Sequence, residues 1–234
     1  LADHASDLLF APTEKSMNIL LGEDVEKEKV SVTGNTIVDS VMQNKELADR
    51  KSRILETLNL KKDEYFLVTA HRQENVDDKE RLSGMLSGFE KLSDKYNIPI
   101  IYPIHPRTKK MIDKLGLGHI VEKIKNLKLI DPVGFLDFLQ LESNAKLVLT
   151  DSGGVQEETC ILKVPCVTLR DNTERPETLD VGSNILAGCD AEKIIKCAEI
   201  MLGKERNWKN PFGDGTSGKR IVELCENYLE KGKK

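Results

Sequence analysis

The stretch "AKLVLTDSGGVQEE" (residues 145–158) passes from an apolar run through two glycines into a helical pattern. A continuously apolar run is typical of a strand that is buried on both faces. Gly153 and Gly154 let backbone N–H groups approach a ligand closely, and the positive end of the helix that starts near Val155 points to the same place. With the hydroxyl of Ser152 as a further donor, the stretch predicts a strand, a turn and a helix that together cradle a diphosphate.

Two glutamates follow the glycines directly. Glu158 lies about one helical turn beyond the turn itself, so it need not contact phosphate. A carboxylate at this distance can accept hydrogen bonds from sugar hydroxyls, as acidic residues do from nucleotide ribose. The alternative is a plain glycine turn before a helix whose acidic residues favour the helix dipole. This stretch alone leaves both interpretations open.

Five further segments share this apolar character and alternate with helical patterns. The predicted strands are 64–70, 98–104, 127–131, 145–151, 165–171 and 183–187. The predicted helices are 79–96, 107–116, 134–144, 155–163 and 175–180, with two more at 191–203 and 217–234 after the last strand. The alternation predicts an α/β fold with a doubly wound, parallel, Rossmann-like sheet, for which the commonest strand order is 3-2-1-4-5-6.

The first 60 residues do not continue this alternation. Their pattern suggests a strand in "DLLFAP" (7–12), a helix from Thr13, a strand "VSV" (30–32), a turn "TGN" (33–35) and two helical stretches at 36–44 and 46–58. A strand so far from the six-strand run is not expected to form a sheet. Residues 1–30 are therefore interpreted as the tail of a preceding domain. The chain also lacks an initial Met, which suggests that it begins partway through a longer protein.

The predicted strand order reverses between strands 1 and 4, and ligands bind outside the carboxyl ends of the strands at such a reversal. Strand 1 ends in "TAHRQEN" and strand 4 ends in "TDSGG", so His71 and Ser152 are predicted to meet there. His71 can stabilise charge or transfer a proton, although a loop with surface charges is the alternative. His105, which follows strand 2 in "YPIHP", is expected at the periphery.

Two other groups have a ligand-binding and a structural interpretation. A proline follows Arg175 in "LRDNTERPET" and stiffens the loop, which can aim the guanidinium at a diphosphate. The acidic residues at positions 171, 174 and 177 support the alternative, a self-paired surface loop. Phe138, just before strand 4, can stack on a base or belong to an apolar helix face.

Composition disfavours several classes of protein. The net charge is −4, and the 35 Lys and Arg residues are interspersed with 39 Asp and Glu residues, so we expect no nucleic-acid partner. The apolar runs are too short to span a bilayer, and no signal peptide is visible. Five cysteines without metal spacing suggest reduced, mostly buried thiols in a cytoplasmic protein. Four scattered histidines form no metal-binding pair, so no metal is expected.

Taken together, "TGNTIVD", "TAHRQEN", "YPIHP", "LTDSGGVQEE" and "LRDNTERPE" resemble the non-hydrolysing UDP-N-acetylglucosamine 2-epimerases in order and approximate spacing. The resemblance implies the glycosyltransferase-B architecture, in which two Rossmann-like domains enclose the active site. It also implies a cytoplasmic homodimer that supplies activated N-acetylmannosamine for surface polysaccharides. Residues 1–30 would be the end of the N-terminal domain, and residues 31–234 would be the UDP-binding C-terminal domain with its closing helices.

The resemblance also implies roles for individual residues. The glycine turn would bind the UDP diphosphate, the second glutamate the ribose, and an aromatic residue would lie near uracil. His71 and Arg175 would be the catalytic residues of this chain, at the reacting centre and on phosphate. Arg72 and His105 match positions of a second, regulatory UDP-GlcNAc site in some bacterial members. The residues implied to bind UDP are His71, Ser152, Gly153, Gly154, Glu158, Arg175 and Phe138.

The chain departs from the family pattern in two places and lacks one part of it. Gln73 replaces the second arginine of the usual "HRREN", and the glycine common shortly after it is missing from "NVDDKE". These departures bear on the regulatory site and on sugar specificity more than on the chemistry. The catalytic carboxylates of the family belong to an N-terminal domain that this chain does not contain. The chain alone is therefore expected to be inactive.

The implied reaction inverts C2 of the sugar and needs no cofactor. UDP leaves by elimination to give a 2-acetamidoglucal, and then adds back with the proton on the other face. The alternatives are a UDP-sugar glycosyltransferase, a hydrolysing epimerase, an epimerase of a UDP-diacetamido-uronic acid, and a nucleotide-binding module without catalysis. A nicotinamide dehydrogenase is disfavoured because strand 1 does not lead into GxGxxG.

Overall fold

The computed structural model describes residues 1–231. The chain folds into two compact units. One comprises Leu1–Glu46 and the segment that starts at Asn210, and the other comprises Leu47–Lys209. These two units are defined by how tightly the residues within each one pack, and they do not test the predicted domain boundary. The domain boundary near residue 30, which rests on the family resemblance, stays a prediction.

Helices and strands alternate along most of the chain, with one 3-10 turn at Lys27–Lys29. The first part contains α1 (Ala2–Ala5), β1 (Leu9–Ala11), α2 (Glu14–Gly22), β2 (Val30–Val32), α3 (Thr36–Lys51) and α4 (Ile54–Thr57). The middle contains β3 (Phe66–Thr69), α5 (Gln73–Val76), α6 (Lys79–Tyr96), β4 (Ile100–Pro103), α7 (Pro106–Lys114), α8 (Gly118–Val121), β5 (Leu127–Ile130), α9 (Phe135–Asn144) and β6 (Leu147–Thr150). The last part contains α10 (Gly153–Leu162), β7 (Cys166–Thr168), α11 (Pro176–Asp180), β8 (Asn184–Leu186), α12 (Ala191–Leu202) and α13 (Ser217–Lys231).

The first unit contains a small parallel sheet. β1 and β2 pair in the register Leu9↔Val30 to Ala11↔Val32, and α2 packs on both strands. Leu9, Ala11, Val25 and Val30 form its buried core. The expectation that this part of the chain forms no sheet is wrong. The helix between the two short strands returns the chain in the same direction, so that they pair in parallel.

Two helices, α3 and α4, occupy the region where two helical stretches are predicted, but the break between them lies at residues 52–53 and not at residue 45. Residues 36–51 contain neither Gly nor Pro, so nothing in the backbone ends the helix at residue 45. The Asn44 side-chain amide donates to the carbonyl of Ser40, one turn back, at 2.8 Å. This bond satisfies the polar side chain within the helix, and the helix continues to Lys51.

The second unit is built on a six-stranded sheet. The strand order is β5-β4-β3-β6-β7-β8, and every pair is parallel. Counted from β3, this is the predicted order 3-2-1-4-5-6, which is confirmed. At the reversal, β3 pairs with β6 in the register Phe66↔Leu147 to Thr69↔Thr150. Because Thr69 and Thr150 are paired, the loops after both strands leave the sheet at the same edge.

Helices cover this sheet on both faces. Phe66 and Val68 of β3 belong to one buried cluster together with Leu86 of α6. Leu67, between them, belongs to the opposite cluster together with Leu141 of α9. Alternate residues of the strand thus face different layers, and both layers are apolar. This explains why the strands are continuously apolar in the sequence.

Two further sequence predictions concern the chain as a whole. All five cysteines are free, four are buried and Cys225 is half-buried, which confirms the predicted buried thiols. Within residues 1–231, no helix has both the length and the apolar character needed to cross a membrane.

Candidate functional site

Asp151 joins the two loops that leave the sheet at the strand reversal. It follows β6, is fully buried, and accepts hydrogen bonds from the backbone N–H groups of His71 (3.0 Å) and Arg72 (2.8 Å). The Asn75 side chain donates to the same carboxylate at 3.2 Å. Oδ1 of Asp151 lies 3.6 Å from Nδ1 of His71. Asp151 therefore fixes His71 beside the glycine turn. No role is predicted for Asp151 from the sequence, although its position between the strand and Ser152 could have indicated one.

The glycine turn forms the first turn of α10. Ser152 is the N-cap residue, but its hydroxyl makes no capping hydrogen bond, and its backbone N–H donates to Thr150 Oγ1 at 2.9 Å. The first turn contains no acidic residue. The helix starts at Gly153 rather than near Val155, so Glu158 lies about one and a half turns into it. The turn thus presents a helix N-terminus with no carboxylate of its own, which suits an anion. The carboxylate of Glu174 is close by, since its Oε2 would lie 3.8 Å from a Cβ atom built on Gly153, and both of its oxygens accept hydrogen bonds from Arg170.

Arg175 stands next to this turn. A Cβ atom built on Gly153 would lie 3.9 Å from the guanidinium carbon of Arg175. The guanidinium Nε lies 2.6 Å from Oε1 of Glu157, whose side chain is buried, and Nη1 donates to the backbone carbonyl of Glu174. The first of the two adjacent glutamates therefore orients an arginine, and the aimed guanidinium predicted from the sequence lies beside the predicted diphosphate turn.

A second arginine, Arg170, links the loops that follow β3 and β7. Its side chain is 5% exposed, and it donates to Glu74 at 2.8 Å and to both carboxylate oxygens of Glu174 at 2.8 and 2.9 Å. Asn172 accepts a further bond at 3.0 Å. These bonds to Arg170 lower the pKa of Glu174 to about 2. Pairing of charges within this loop was the alternative interpretation of its acidic residues. It is observed for Glu174, whose partner is Arg170. No role is predicted for Arg170 from the sequence, because a charged residue at the end of a strand is expected to be exposed.

Glu158 lies in a different environment from its neighbour Glu157. Its helix packs against α9, which brings it close enough to the fully buried Glu142 for the two carboxyl groups to interact. Burial raises the pKa of Glu158 to about 7, and the negative charge of Glu157 acts in the same direction. Burial also raises the pKa of Glu142 well above its ordinary value, and the Glu158 carboxyl adds to this. The predicted ribose acceptor therefore belongs to a buried carboxyl pair, and Glu142 was missed by sequence reasoning.

An apolar cavity of about 180 Å³ opens at the same edge of the sheet. The rings of His71 and His105 line it with their centroids 5.9 Å apart and a 35° angle between their planes. Phe138 of α9 contributes a further aromatic wall. The remaining lining residues are Thr69, Ala70, Pro103, Pro132 and Val133.

His105 does not lie at the periphery, which corrects the expectation from the sequence. β4 is the direct neighbour of β3, so the loop that follows it reaches the reversal point. His105 is the N-cap of α7, and its Nδ1 accepts the backbone N–H of Arg107 at 3.2 Å. His105 is exposed to solvent, and it also lines the cavity together with His71.

The predicted site residues fall into two neighbouring groups. Ser152, Gly153, Gly154 and Arg175 form the polar group at the N-terminus of α10. His105 and Phe138 line the apolar cavity, and His71 belongs to both groups. Glu158 lies further along α10, and Arg72 caps α5 and donates its backbone N–H to Asp151. Within residues 1–231 no three His, Cys, Asp or Glu side chains gather as metal ligands. That the reaction needs no metal stays a prediction.

A sequence model described as UDP-N-acetylglucosamine 2-epimerase matches residues 1–226. The chain belongs to this family. The UDP-N-acetylglucosamine 2-epimerase of Methanocaldococcus jannaschii is 55% identical over 226 residues, which are 96% of this chain and 62% of that protein. The enzyme of the same name from Methanococcus maripaludis is 52% identical with the same coverage. The chain thus spans about 62% of the length of these relatives.

Solved epimerase structures agree with the fold. A crystal structure of the Methanocaldococcus jannaschii UDP-GlcNAc 2-epimerase, in complex with UDP-GlcNAc and UDP, matches this chain with a TM-score of 0.90. The match covers 97% of this chain and 63% of that one. The predicted fold class, a Rossmann-like parallel sheet of the glycosyltransferase-B type, is confirmed by this similarity to the epimerase family.

Proposed function

We propose that this chain is the UDP-binding half of a UDP-N-acetylglucosamine 2-epimerase, which interconverts UDP-GlcNAc and UDP-ManNAc. The observation that supports this most is the convergence at one sheet edge of a helix N-terminus, an arginine, a histidine and an apolar cavity. This is the set of groups that a diphosphate linked to a nucleoside requires. The relatives that are 55% and 52% identical carry the name of this activity.

The diphosphate would bind at the first turn of α10. The backbone N–H groups of Gly153 and Gly154 and the hydroxyl of Ser152, which makes no capping hydrogen bond, are hydrogen-bond donors, and the helix dipole favours the negative charge. Arg175 adds a positive charge at the same turn. Glu157 lies at the Nε side of its guanidinium and the Glu174 carbonyl accepts from Nη1, so phosphate would be bound by the remaining N–H groups of the terminal nitrogens. Because the arginine is already held in place, little side-chain entropy is lost when the ligand binds.

These donors would also act in the chemical step. Breaking the bond between C1 and the diphosphate oxygen places negative charge on the leaving UDP. Donors that are already oriented stabilise this charge without reorganisation. His71, held by Asp151 at the end of β3, would face the same charge. We therefore assign catalytic roles on this chain to His71 and Arg175.

The nucleoside would occupy the apolar cavity next to the turn. Its volume of about 180 Å³, with the rings of Phe138, His71 and His105 in its walls, suits a planar base. Glu158 would accept hydrogen bonds from the ribose hydroxyls. Arg72 and His105 would take part in a second, regulatory UDP-GlcNAc site if this enzyme has one. Because His105 lines the cavity, a direct role for it in binding the base is the simpler proposal.

Proton removal and return at C2 require acids and bases that we place in the part of the enzyme that the chain does not cover. The complete enzyme would be a cytoplasmic homodimer that supplies activated N-acetylmannosamine for surface polysaccharides. It would use no redox cofactor, because elimination and re-addition leave the oxidation state of the substrate unchanged overall. On the family mechanism, protein donors in place of a metal ion would stabilise the charge on the leaving UDP.

Titration calorimetry with UDP, UDP-GlcNAc and pyrophosphate tests the binding role of the 234-residue chain. The chain should bind UDP and UDP-GlcNAc with similar affinity. Ser152→Ala should weaken all three ligands, whereas Glu158→Ala should weaken UDP more than pyrophosphate, because only UDP has a ribose. Glu192→Ala, at an exposed position of α12, is the matched control and should change none of them. Equal losses of UDP and pyrophosphate affinity in Glu158→Ala would contradict the ribose assignment.

A product assay tests the reaction. The complete enzyme, incubated with UDP-GlcNAc and no acceptor, should form UDP-ManNAc, while this chain alone should form none. Free N-acetylmannosamine would indicate a hydrolysing enzyme, and a requirement for an acceptor would indicate a glycosyltransferase. Turnover of a UDP-diacetamido-uronic acid in preference to UDP-GlcNAc would reassign the substrate. Epimerisation by this chain alone would show that the C2 acid and base groups lie within it.

A further inference from the structure

Glu142 is a buried carboxyl group with no conventional donor. It lies on α9, is fully buried, and neither of its side-chain oxygens receives a hydrogen bond from an N–H or hydroxyl group of the described residues. The neighbouring residues Leu139 and Leu141 are buried apolar side chains. A carboxylate without a donor or a cation in such a place is strongly unfavourable. A protonated, neutral carboxyl is far less so.

The group placed to interact with Glu142 is the carboxyl of Glu158 on α10, the helix packed against α9. Two ionised carboxylates cannot form a hydrogen bond, because neither has a proton to donate. One proton on the pair turns the interaction into an O–H to carboxylate bond. Since burial is complete at Glu142 and only partial at Glu158, the proton belongs on Glu142.

The position of Glu142 connects this pair to the candidate nucleoside site. Glu142 follows Phe138 by four residues on α9, so the two side chains share one face of the helix. Phe138 lines the apolar cavity, and Glu158 is the proposed ribose acceptor. One face of α9 therefore holds both Phe138, which lines the proposed base cavity, and Glu142, which lies behind the proposed ribose acceptor Glu158.

Other charged and titratable groups surround the pair. Glu157, on α10, is held by Arg175, and the thiols of Cys160 and Cys166 are buried with raised pKa values. His71 and His105 line the nearby cavity. Further ionisable side chains on α9, α10 and the elements packed against them include Glu56 of α4, Asp137 of α9 itself, Lys163 at the end of α10, Glu177 and Asp180 of α11, and Asp151 after β6.

We propose that Glu142 is a positioning residue for the ribose: it remains protonated and donates a hydrogen bond to Glu158. The inference rests on the proposed function, in which Glu158 accepts hydrogen bonds from ribose hydroxyls. Those hydroxyls need an acceptor, so the ligand selects the ionised form of Glu158. The hydrogen bond from Glu142 stabilises that form and fixes the plane of the carboxylate.

UDP-GlcNAc binding at pH 6 and pH 8 tests the proposal, because a diphosphate diester has no proton to lose in this range. With the Glu158 pKa at about 7, the ionised fraction rises about tenfold between these pH values, and the affinity should rise with it. Glu158→Gln removes this titration but keeps His71 and His105. The ratio of wild-type to Glu158→Gln affinity therefore isolates Glu158, and calorimetry in two buffers of different ionisation enthalpy measures the released proton.

Two substitutions of Glu142 separate positioning from packing. Glu142→Gln keeps a donor of the same shape, so it should keep the wild-type affinity at pH 8 within about threefold and keep the pH response. Glu142→Met has a similar volume but no donor, so it should bind about tenfold more weakly at pH 8, with the response shifted to higher pH. Wild-type behaviour of Glu142→Met would overturn the proposal. Loss of the pH response in Glu142→Gln, with tighter binding at pH 6, would also overturn it, because it would show that Glu142 was ionised.

A spectroscopic measurement covers the case in which a variant does not fold. The infrared band of a protonated carboxyl should be present in the wild-type chain at pH 8 and absent from Glu142→Gln. Its absence from the wild-type chain would overturn the proposal. Failure of the proposed function gives a different result, since wild type and Glu158→Gln would then bind UDP-GlcNAc equally at pH 8, or neither would bind it.

Discussion

Adjacent glutamates on α10 lie in opposite environments. Glu157 forms a close ion pair with Arg175, in a region where a second arginine, Arg170, also binds acidic side chains. Glu158, the next residue, faces α9 and interacts with the buried carboxyl of Glu142. The pKa of Glu174, on the arginine side, is lowered to about 2, while that of Glu158 is raised to about 7.

The difference shows that the surroundings, and not the residue type, decide the charge and the use of a carboxyl group. On the arginine side, carboxylates orient guanidinium groups, and one of these guanidiniums stands at the proposed diphosphate turn. On the α9 side, a carboxyl pair holds a proton and presents an acceptor that suits hydroxyl donors. Because adjacent residues of α10 face these two environments, the same helix can bind both the charged diphosphate and the hydroxyl groups of the ribose.

The arginine side carries the largest expected effect. Arg175→Ala and His71→Ala each remove a donor that faces developing diphosphate charge, so kcat/KM of the complete enzyme should fall roughly 100-fold in each variant, about 3 kcal/mol. Steady-state kinetics on folded variants measures this. Lys91→Ala, which breaks an exposed pair with Glu192, is the control and should leave the rate unchanged. Changes below about threefold in both variants would remove these residues from the mechanism.

The carboxyl pair should make the free energy of unfolding depend on pH. The pKa of Glu158 is about 7 in the folded chain against an ordinary value of 4.5, so the unfolded chain loses this proton first. The stabilisation is present in full below about pH 4.5 and is lost as the pH rises to about 7. After allowance for partial exposure, this amounts to about 2 to 3 kcal/mol. Urea unfolding of Glu158→Gln between pH 5 and 8 should show a flatter profile than wild type, and an unchanged slope would contradict a raised pKa.

Arg170 should matter for stability more than an exposed cation does. Arg170→Met leaves three side-chain partners without their donor, and we expect a loss of about 2 kcal/mol in the free energy of unfolding. The partners are half-exposed and can be hydrated, which keeps the loss below that of a fully buried pair. Lys91→Met should cost less than about 1 kcal/mol. Equal losses in the two variants would mean that the buried arginine adds no more than a surface charge.

The smallest effect is expected for Glu174, and it should appear in the opposite pH window. Its pKa is lowered to about 2, so its contribution is present above about pH 4.5 and is lost as the pH falls to about 2. Its side chain is 52% exposed, so solvent screens the pair and the difference should stay under about 1 kcal/mol. Wild type and Glu174→Gln should therefore differ slightly at pH 6 and converge near pH 2 in chemical unfolding. A difference that grows towards low pH would contradict the ion pair.

Much of the fold could be predicted from the sequence because its signals are local. Continuously apolar strands, glycine turns and helical periodicity placed all six strands of the larger sheet, and their commonest order proved to be the observed one. The failures also have local causes. Nothing in residues 36–51 ends the helix at residue 45, and the two short strands β1 and β2 pair only because α2 brings them together.

Parts of the candidate site could be predicted where a residue type that suits ligand binding also follows the end of a strand. The glycine turn, His71 and Arg175 each follow a strand, and all three lie at the edge that the strand order specifies. Glu142 and Arg170 could not be predicted, because a charged residue is expected at the surface and both are buried. Their roles depend on partners from other elements, which only the packed structure brings into contact.

A crystal structure of this chain with UDP tests most directly whether the nucleotide lies across the two environments of α10. The diphosphate should accept hydrogen bonds from the backbone of Gly153 and Gly154 and from Arg175, with the ribose hydroxyls on Glu158 and the uracil in the cavity beside Phe138. UDP bound instead in the open groove of about 520 Å³ lined in part by Arg81, Gly84 and Lys193 would contradict this placement.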